Sequence, residues 1–388
     1  MNVFLTGATG LVGGELLVTL SKRSEIKKVY CFIRASSVDE AVLKIEKIFS
    51  LHDDFLDKKK IVPVLGNLQN DFLSESLREN SQLKDVNVVI HAAANTSFSP
   101  IYNKLVEDVN IHGLEKILFW AKDLPFLQTF LYVGTATICG KNIQNRLVFE
   151  DESPSLTAEH LVRYTYTKTQ GELLLNKHLP PEKILIVRPS IIMGDSRKIL
   201  PRSPIILWAV AVINQLRLLP VTEHAMLDMI PVDYAAEAIA GLLFARRSHN
   251  VYHVSSGKKS ATSAYKLSLS LSAYFSDLPP FMFLNKSMTG QLKQWCRGRL
   301  SPHAELQRYP AYLDYWKEIF PDPGNLRILL AGLEPYLAFM ELGQAFDNSR
   351  LLQDLPGIKQ SIPADTYINN CMEPIANINI LEAAFEFC

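Results

Sequence analysis

The chain has 388 residues, 48% of them hydrophobic and 21% charged, and its 40 basic and 40 acidic side chains give a formal net charge of +0. This length holds one large α/β domain or two, with a full core, and the balanced charge excludes the basic excess of a nucleic-acid binder. Five widely spaced cysteines (Cys31, Cys139, Cys296, Cys371 and Cys388) form no Cys-x-x-Cys pair, which fits a reduced compartment and offers neither a disulfide frame nor a metal site.

The first element is a strand over Val3 to Leu5, and a helix follows from Leu11. Between them lies Gly7-x-x-Gly10-x-x-Gly13. Glycines at this spacing allow a tight turn, close approach of backbone to a pyrophosphate, and close helix–strand packing, with the helix N-terminus facing negative charge. The strand–turn–helix setting makes the pattern a dinucleotide cradle. Because the first residues already read as a strand, no secretory leader is expected. The longest apolar run, Ile205 to Ile213, is shorter than the about 20 residues of a bilayer span. The terminal Cys388 is not placed for prenylation. The expectation is a cytoplasmic chain with no membrane span.

A second strand, Val29 to Ile33, ends at Arg34 and leads into a helix from about Val38 to Phe49. The third strand, Ile61 to Leu65, closes on Gly66-Asn67-Leu68. The fourth, Val86 to His91, is followed by Ala92-Ala93-Ala94. A helix is expected over Ile111 to Ala121, a fifth strand over Thr129 to Val133 and a sixth over Ile184 to Val187. This β-then-α alternation predicts a doubly wound α/β fold of Rossmann type, a parallel sheet with helices on both faces.

Within that stretch, Tyr164-x-x-x-Lys168 opens a helical segment, so both side chains share one face. An ammonium beside a phenol favours phenolate and brings its pKa towards the working range. Tyr166 has no lysine four residues on and reads as packing. The second strand ends in Arg34 where an acid would bind a ribose 2′-hydroxyl, and no acid follows until Asp39. A guanidinium there suits a 2′-phosphate, hence NADPH over NADH; the bland alternative is a solvated arginine opening a loop.

After about residue 195 the rhythm breaks. Leu200 to Val221 is apolar and Pro-punctuated; Met229-Ile230-Pro231-Val232-Asp233 starts a helix through Ala245, and Val251 to Val254 is a late strand. Beyond Gly257 the chain reads as helical and aromatic, a cap packed on the sheet. The expected division is 1–255 for the NADP-binding domain, with a substrate-side insertion at about 196–228, and 256–388 for a mostly helical C-terminal substrate region.

The chain resembles the extended short-chain dehydrogenase/reductases, and within them the fatty acyl-CoA reductases and thioester-reductase domains. The resemblance rests on Thr6-Gly7-x-x-Gly10-x-x-Gly13, His91-Ala92-Ala93-Ala94, Val109-Asn110-x-x-Gly113, Thr135-Ala136-Thr137-x-x-Gly140, Tyr164-x-x-x-Lys168, Arg188-Pro189-Ser190-Ile191 and Pro231-Val232-Asp233-Tyr234. It implies that Thr135 polarises a substrate carbonyl and Tyr164 donates the proton. Lys168 would hold the nicotinamide ribose, and Asn110 would help organise a proton relay. It implies cofactor contact from Gly7, Thr9, Gly10, Leu11, Val12, Gly13, Arg34, Asn67, Leu68, Ala92, Ala93, Ala94, Lys168, Pro189, Ser190 and Ile191. His91 reads as a satisfied strand-end histidine. Two positions depart from the family pattern: Asn67 stands where Asp often lies beside the adenine, and Gly134-Thr135-Ala136 replaces Ser-Thr-Ala. Phe346-Asp347-Asn348 is loosely similar to the C-terminal part of fatty acyl reductases.

The implied activity is NADPH-dependent reduction of a fatty-acyl or similar thioester, on CoA or an acyl carrier protein, to aldehyde or alcohol. The apolar run from Ile205 to Val221, with Trp208, Met226 and Met229 nearby, reads as an acyl channel or as plain core. Arg197, Lys198 and Arg202 read as contacts for a phosphopantetheine or CoA phosphate, or as a solvated face. The alternatives are a ketone/alcohol oxidoreductase on a hydrophobic substrate, a sugar-nucleotide epimerase or dehydratase, and a non-catalytic NADP-binding sensor or scaffold. No metal site is evident, and the oligomeric state is not readable.

Overall fold

The computed structural model describes residues 1–155, 157–197 and 204–387. Seven strands build one sheet: β1 (Asn2–Thr6), β2 (Lys28–Ile33), β3 (Ile61–Leu65), β4 (Val88–His91), β5 (Thr129–Val133), β6 (Ile184–Pro189) and β7 (Val251–Val254). Their order is β7-β6-β5-β4-β1-β2-β3, and every neighbouring pair is parallel. Val3 is in register with Val29 of β2 on one side and Val88 of β4 on the other. Chain order reverses at β1 and β4, which opens a ligand crevice beyond their carboxyl ends.

The strands are mostly apolar because helices cover both faces. Successive side chains alternate faces, so Val3 and Leu5 enter one core while Phe4 enters the other. The first core takes α1 (Leu11–Ser21) and α2 (Val38–Ser50); the second takes Leu114, Ile117 and Trp120 of α3 (Gly113–Ala121) and Leu175 of α4 (Arg163–His178). The helix expected from Ile111 starts earlier. Asn103–Glu107 is already α-helical and runs through a π turn at Asp108–His112 before α3. The inserted residue breaks the 3.6-residue period on which the sequence reading depends.

A third core forms the cap. Trp208 and Val212 of α5 (Pro204–Leu216) pack there with Leu267 and Leu271 of α7 (Ala264–Tyr274) and Leu329 and Leu333 of α8 (Pro323–Met340). Residues 206–219 of the insertion and much of the C-terminal region thus share one interior. Between α5 and α7, α6 (Val232–Phe244) returns to the sheet core and packs on α1. Residues beyond α8 return too: Ala345–Phe346 pairs with Leu147–Val148, and Leu351 is buried beneath the sheet. Among the described residues no helix is long and apolar enough to cross a membrane.

Candidate active site

A cavity of about 900 Å³ runs from the Gly7–Gly13 turn, across the carboxyl ends of β1, β4 and β5, into the cap. Its cradle end is set by backbone. Gly7 has φ +75, and a Cβ there would lie 2.7 Å from Ala93 N; a Cβ on Gly13 would lie 2.1 Å from Gly7 O. Neither position accepts a side chain. Gly10 caps α1 in extended conformation, so no side chain screens the helix N-terminus. Thr6 Oγ1 accepts from Ala93 N at 3.1 Å and meets His91 Nδ1 at 3.1 Å, which ties the β1 and β4 ends together. His91 is buried, and burial lowers its pKa to about 3, so it stays neutral as a structural strand-end residue.

Every residue singled out for cofactor contact borders this cavity, from Gly7, Thr9, Gly10, Leu11, Val12 and Gly13 through Arg34, Asn67, Leu68 and Ala92–Ala94 to Lys168, Pro189, Ser190 and Ile191. Thr135 and Tyr164 border it as well. Thr135 follows β5, and its hydroxyl is 3.0 Å from that of Thr137. Tyr164 lies in the first turn of α4, with Lys168 one turn on. The Lys168 ammonium donates to the Val133 carbonyl at 2.7 Å and sits 5.8 Å from the Tyr164 ring centroid.

Asn110 does not reach the cavity wall. It is buried in the π turn, where Oδ1 accepts from Asn95 N at 2.7 Å and Nδ2 donates to Asn95 O at 2.9 Å and to Thr167 Oγ1 at 3.0 Å. It is therefore a positioning residue, fixing the 95 loop against α4.

Burial dominates the site's electrostatics. It lowers the Lys168 pKa to about 7, a fall that Glu172 partly opposes. It raises the Tyr164 phenol above its ordinary range. The expected acidification of Tyr164 by its lysine is therefore reversed: desolvation outweighs an ammonium that is engaged with a carbonyl. The phenol is held protonated, the state a proton donor needs.

With the geometry in place, similarity gives the lineage. A family model described as male sterility protein matches residues 5–239. The chain belongs to the male sterility protein family. It shares 25% identity over 320 residues with fatty acyl-CoA reductase 2 of Mus musculus, covering 72% of this chain and 62% of that protein. It shares 26% over 333 residues with probable fatty acyl-CoA reductase 5 of Arabidopsis thaliana, covering 66% of each. This chain spans somewhat under two thirds of the length of the mouse protein. Among solved structures, the terminal R domain of the myxalamid PKS-NRPS pathway superposes with a TM-score of 0.69 at 21% identity, over 96% of this chain and 90% of that one. UDP-glucuronic acid 4-epimerase from Bacillus cereus gives 0.63 at 18%, over 97% and 99%. At these identities the structures attest the fold alone, a Rossmann-type doubly wound sheet.

Several site residues of this family member were not visible in the sequence. Lys44 of α2 borders the cavity beside Arg34, donates to the Arg34 carbonyl at 3.0 Å and pairs with Glu40 at 2.6 Å. Arg188, read only as part of a motif, forms a buried two-pronged pair with Glu172 of α4 at 2.9 and 2.7 Å. Phe98 packs its ring on Tyr164, Tyr336 and Phe339, at centroid distances of 6.1, 5.0 and 5.2 Å. Arg197, read as a phosphate contact or a solvated face, is paired with Glu15 and Asp195, each at 2.6 Å, and braces α1 while its side chain stays 48% exposed. Lys198 and Arg202 lie outside the described residues.

Proposed function

We propose that this chain reduces the carbonyl of a fatty-acyl thioester, carried by CoA or an acyl carrier protein, with NADPH. The observation that carries the proposal is the apolar arm of the cavity that opens beside Thr135 and Tyr164. Among the described residues it is walled by Ile205, Ile206, Ala209, Val210 and Ile213 of α5, Leu267 and Leu271 of α7, and Phe339 and Met340 of α8. Burying a hydrocarbon chain there gains about 0.8 kcal/mol per methylene. A sugar nucleotide would find almost no hydrogen-bonding groups on the same walls; the Ser268 hydroxyl already donates to Tyr265 O at 2.7 Å. The relatives named fatty acyl-CoA reductases support the thioester reading.

The glycine cradle and helix N-terminus fit a pyrophosphate, and Arg34 with Lys44 at the β2 end favours a 2′-phosphate. When bound, the reduced nicotinamide supplies the hydride. Thr135 and Tyr164 both border the cavity, and in this reading both donate to one carbonyl oxygen. As that oxygen gains charge, Tyr164 passes it a proton, and the ammonium of Lys168 stabilises the phenolate left behind. The resulting hemithioacetal breaks its C–S bond and releases thiol and aldehyde; a second round of reduction gives the alcohol. Cys31, Cys139, Cys296 and Cys371 lie off the cavity wall, so among the described residues no thiol is placed for covalent transfer.

The test is consumption of NADPH by purified protein with a long-chain acyl-CoA, the matching aldehyde and a hydrophobic ketone, with NADH run in parallel. Turnover of the thioester upholds the proposal. Turnover of the ketone alone makes the chain a carbonyl reductase, and equal rates with NADH remove the cofactor assignment.

A further inference from the structure

The apolar arm has a direction and an end. On α5 the cavity-facing residues run Ile205, Ile206, Ala209, Val210, Ile213, one face over two turns. At 1.5 Å per residue that wall is about 12 Å long. On α7 the matching face is Ala264, Leu267, Ser268 and Leu271.

α7 starts near the chemistry. Ala264 directly follows Thr262–Ser263, which pairs with Met226–Leu227, and the adjoining Met229–Ile230 pairs with Ile191–Ile192 at the cofactor edge. α5 and α7 both finish at Arg217. That residue follows α5 directly, and its guanidinium donates to Ser272 Oγ at 3.3 Å and Phe275 O at 3.2 Å at the far end of α7.

Phe281 borders the cavity at this far end. Arg217 grips it from three sides. The guanidinium lies over the Phe281 ring at 4.4 Å, donates to Pro279 O at 3.2 Å, and the Arg217 carbonyl accepts from Met282 N at 2.8 Å. Arg217 itself has 0% exposure and is further held by Asn214. A fully buried arginine whose bonds are all to this corner makes Phe281 a fixed wall rather than a swinging side chain.

We infer that Phe281, braced by Arg217, is the stop that sets the longest acyl chain this arm accepts. The inference rests on the acyl-thioester reading above and names its specificity-determining residue. An extended hydrocarbon advances roughly 1.3 Å per carbon, so roughly nine carbons lie alongside α5 before the chain meets the Phe281 ring.

The experiment is equilibrium binding to the full chain of a graded series of straight-chain acyl-CoA thioesters, and in parallel of the corresponding primary alcohols, by displacement of an apolar fluorescent probe. In the unmodified protein, affinity should climb roughly four-fold per carbon and then stop climbing at a definite length. Phe281→Ala should move that break to chains a few carbons longer, and Leu271→Trp, which adds bulk at the same end, to shorter ones. Phe281→Leu serves if the alanine variant does not fold. A break that stays put in these variants, or affinity that climbs without a break, overturns the inference. If the alcohols show the break and its shift while no thioester binds or turns over, the stop stands and the thioester reading has failed.

Discussion

Replacing Glu172 with alanine tests whether charge holds α4, the helix of Tyr164 and Lys168, to the sheet. Glu172 on α4 and Arg188 on β6 meet through side chains only 1% and 3% exposed. The pairing is two-pronged, and the guanidinium's other bond is to the Glu152 carbonyl at 3.1 Å. Removing the carboxylate leaves a buried guanidinium with that single carbonyl. An uncompensated charge of this kind costs about 3–5 kcal/mol, against a total stability of about 5–15 kcal/mol. The variant should therefore fold but melt at a much lower urea concentration. Arg188→Met should cost a similar amount. The double variant Glu172→Met/Arg188→Met should recover much of the loss, for a coupling of about 2 kcal/mol or more in a double-mutant cycle. A second consequence reaches the site. Glu172 is the group that opposes the burial-driven fall of Lys168, so in Glu172→Ala the lysine loses its proton more readily and NADPH affinity at neutral pH should fall too. A stability loss below about 1 kcal/mol, or additive single effects, would refute the reasoning. It would mean that packing, through residues such as Leu175, holds α4 unaided.

Three further outcomes follow from the same geometry. Tyr164→Phe should keep NADPH affinity near that of the unmodified protein and lower turnover by ~10²–10⁴-fold; retained turnover would remove Tyr164 as the proton donor. Arg34→Glu should weaken NADPH binding by on the order of 10–100-fold while leaving NADH binding nearly unchanged, and equal losses for both cofactors would place the guanidinium away from the 2′-phosphate. The third concerns Lys168, whose folded-state pKa of about 7 lies below the ordinary lysine value. The unfolded chain binds the extra proton between about 7 and the ordinary lysine range, so this group makes stability rise with pH across that window. On the proposed role of Lys168, cofactor binding uses the ammonium and should change in the opposite sense, weakening as pH rises through about 7. Affinity titrations over a pH series check this: the slope should vanish in Lys168→Met, and a flat profile in the unmodified protein would count against a charged Lys168 in binding. Glu150, whose pKa burial raises to about 7, gives stability the opposite slope at lower pH, so affinity and stability must be read separately.

The parts legible in the sequence are those whose cause is local. β1 to β7 read as short apolar runs because most of their residues are buried between covering helices, and four to six residues between turns carry that signal unaided. The cradle reads because Gly7 and Gly13 are forced by contacts within one βα unit and the next strand end. Tyr164 and Lys168 read because one helical turn separates them. What was missed depends on residues brought together from afar. Arg197 reads as a phosphate contact or a solvated face, and its partner Glu15 on α1 lies far off in the sequence. Glu172 and Arg188 belong to different elements, and nothing near either announces the other. The acidification expected of Tyr164 followed from a correct neighbour and an unknown burial, and burial decided the sign.

The same division separates chemistry from specificity in this fold. Thr135 sits just beyond β5, and Tyr164 and Lys168 sit on α4, elements fixed by the sheet, and Asn110 and Arg188 tie those elements down. The arm is made by α5, α7 and α8, which touch the site through Phe98, Ile191 and Phe339 but bury their bulk in a core of their own. On the proposed reading, a change at Leu271 or Phe281 alters the room beyond the reacting carbonyl without touching a group proposed to donate to it, whereas a change at Glu172 disturbs the proposed chemistry while leaving the arm intact. Chain-length preference and turnover should separate under mutation along that boundary. Variants of the arm should shift which substrate binds, and variants of the α4 anchor should lower the rate on every substrate alike.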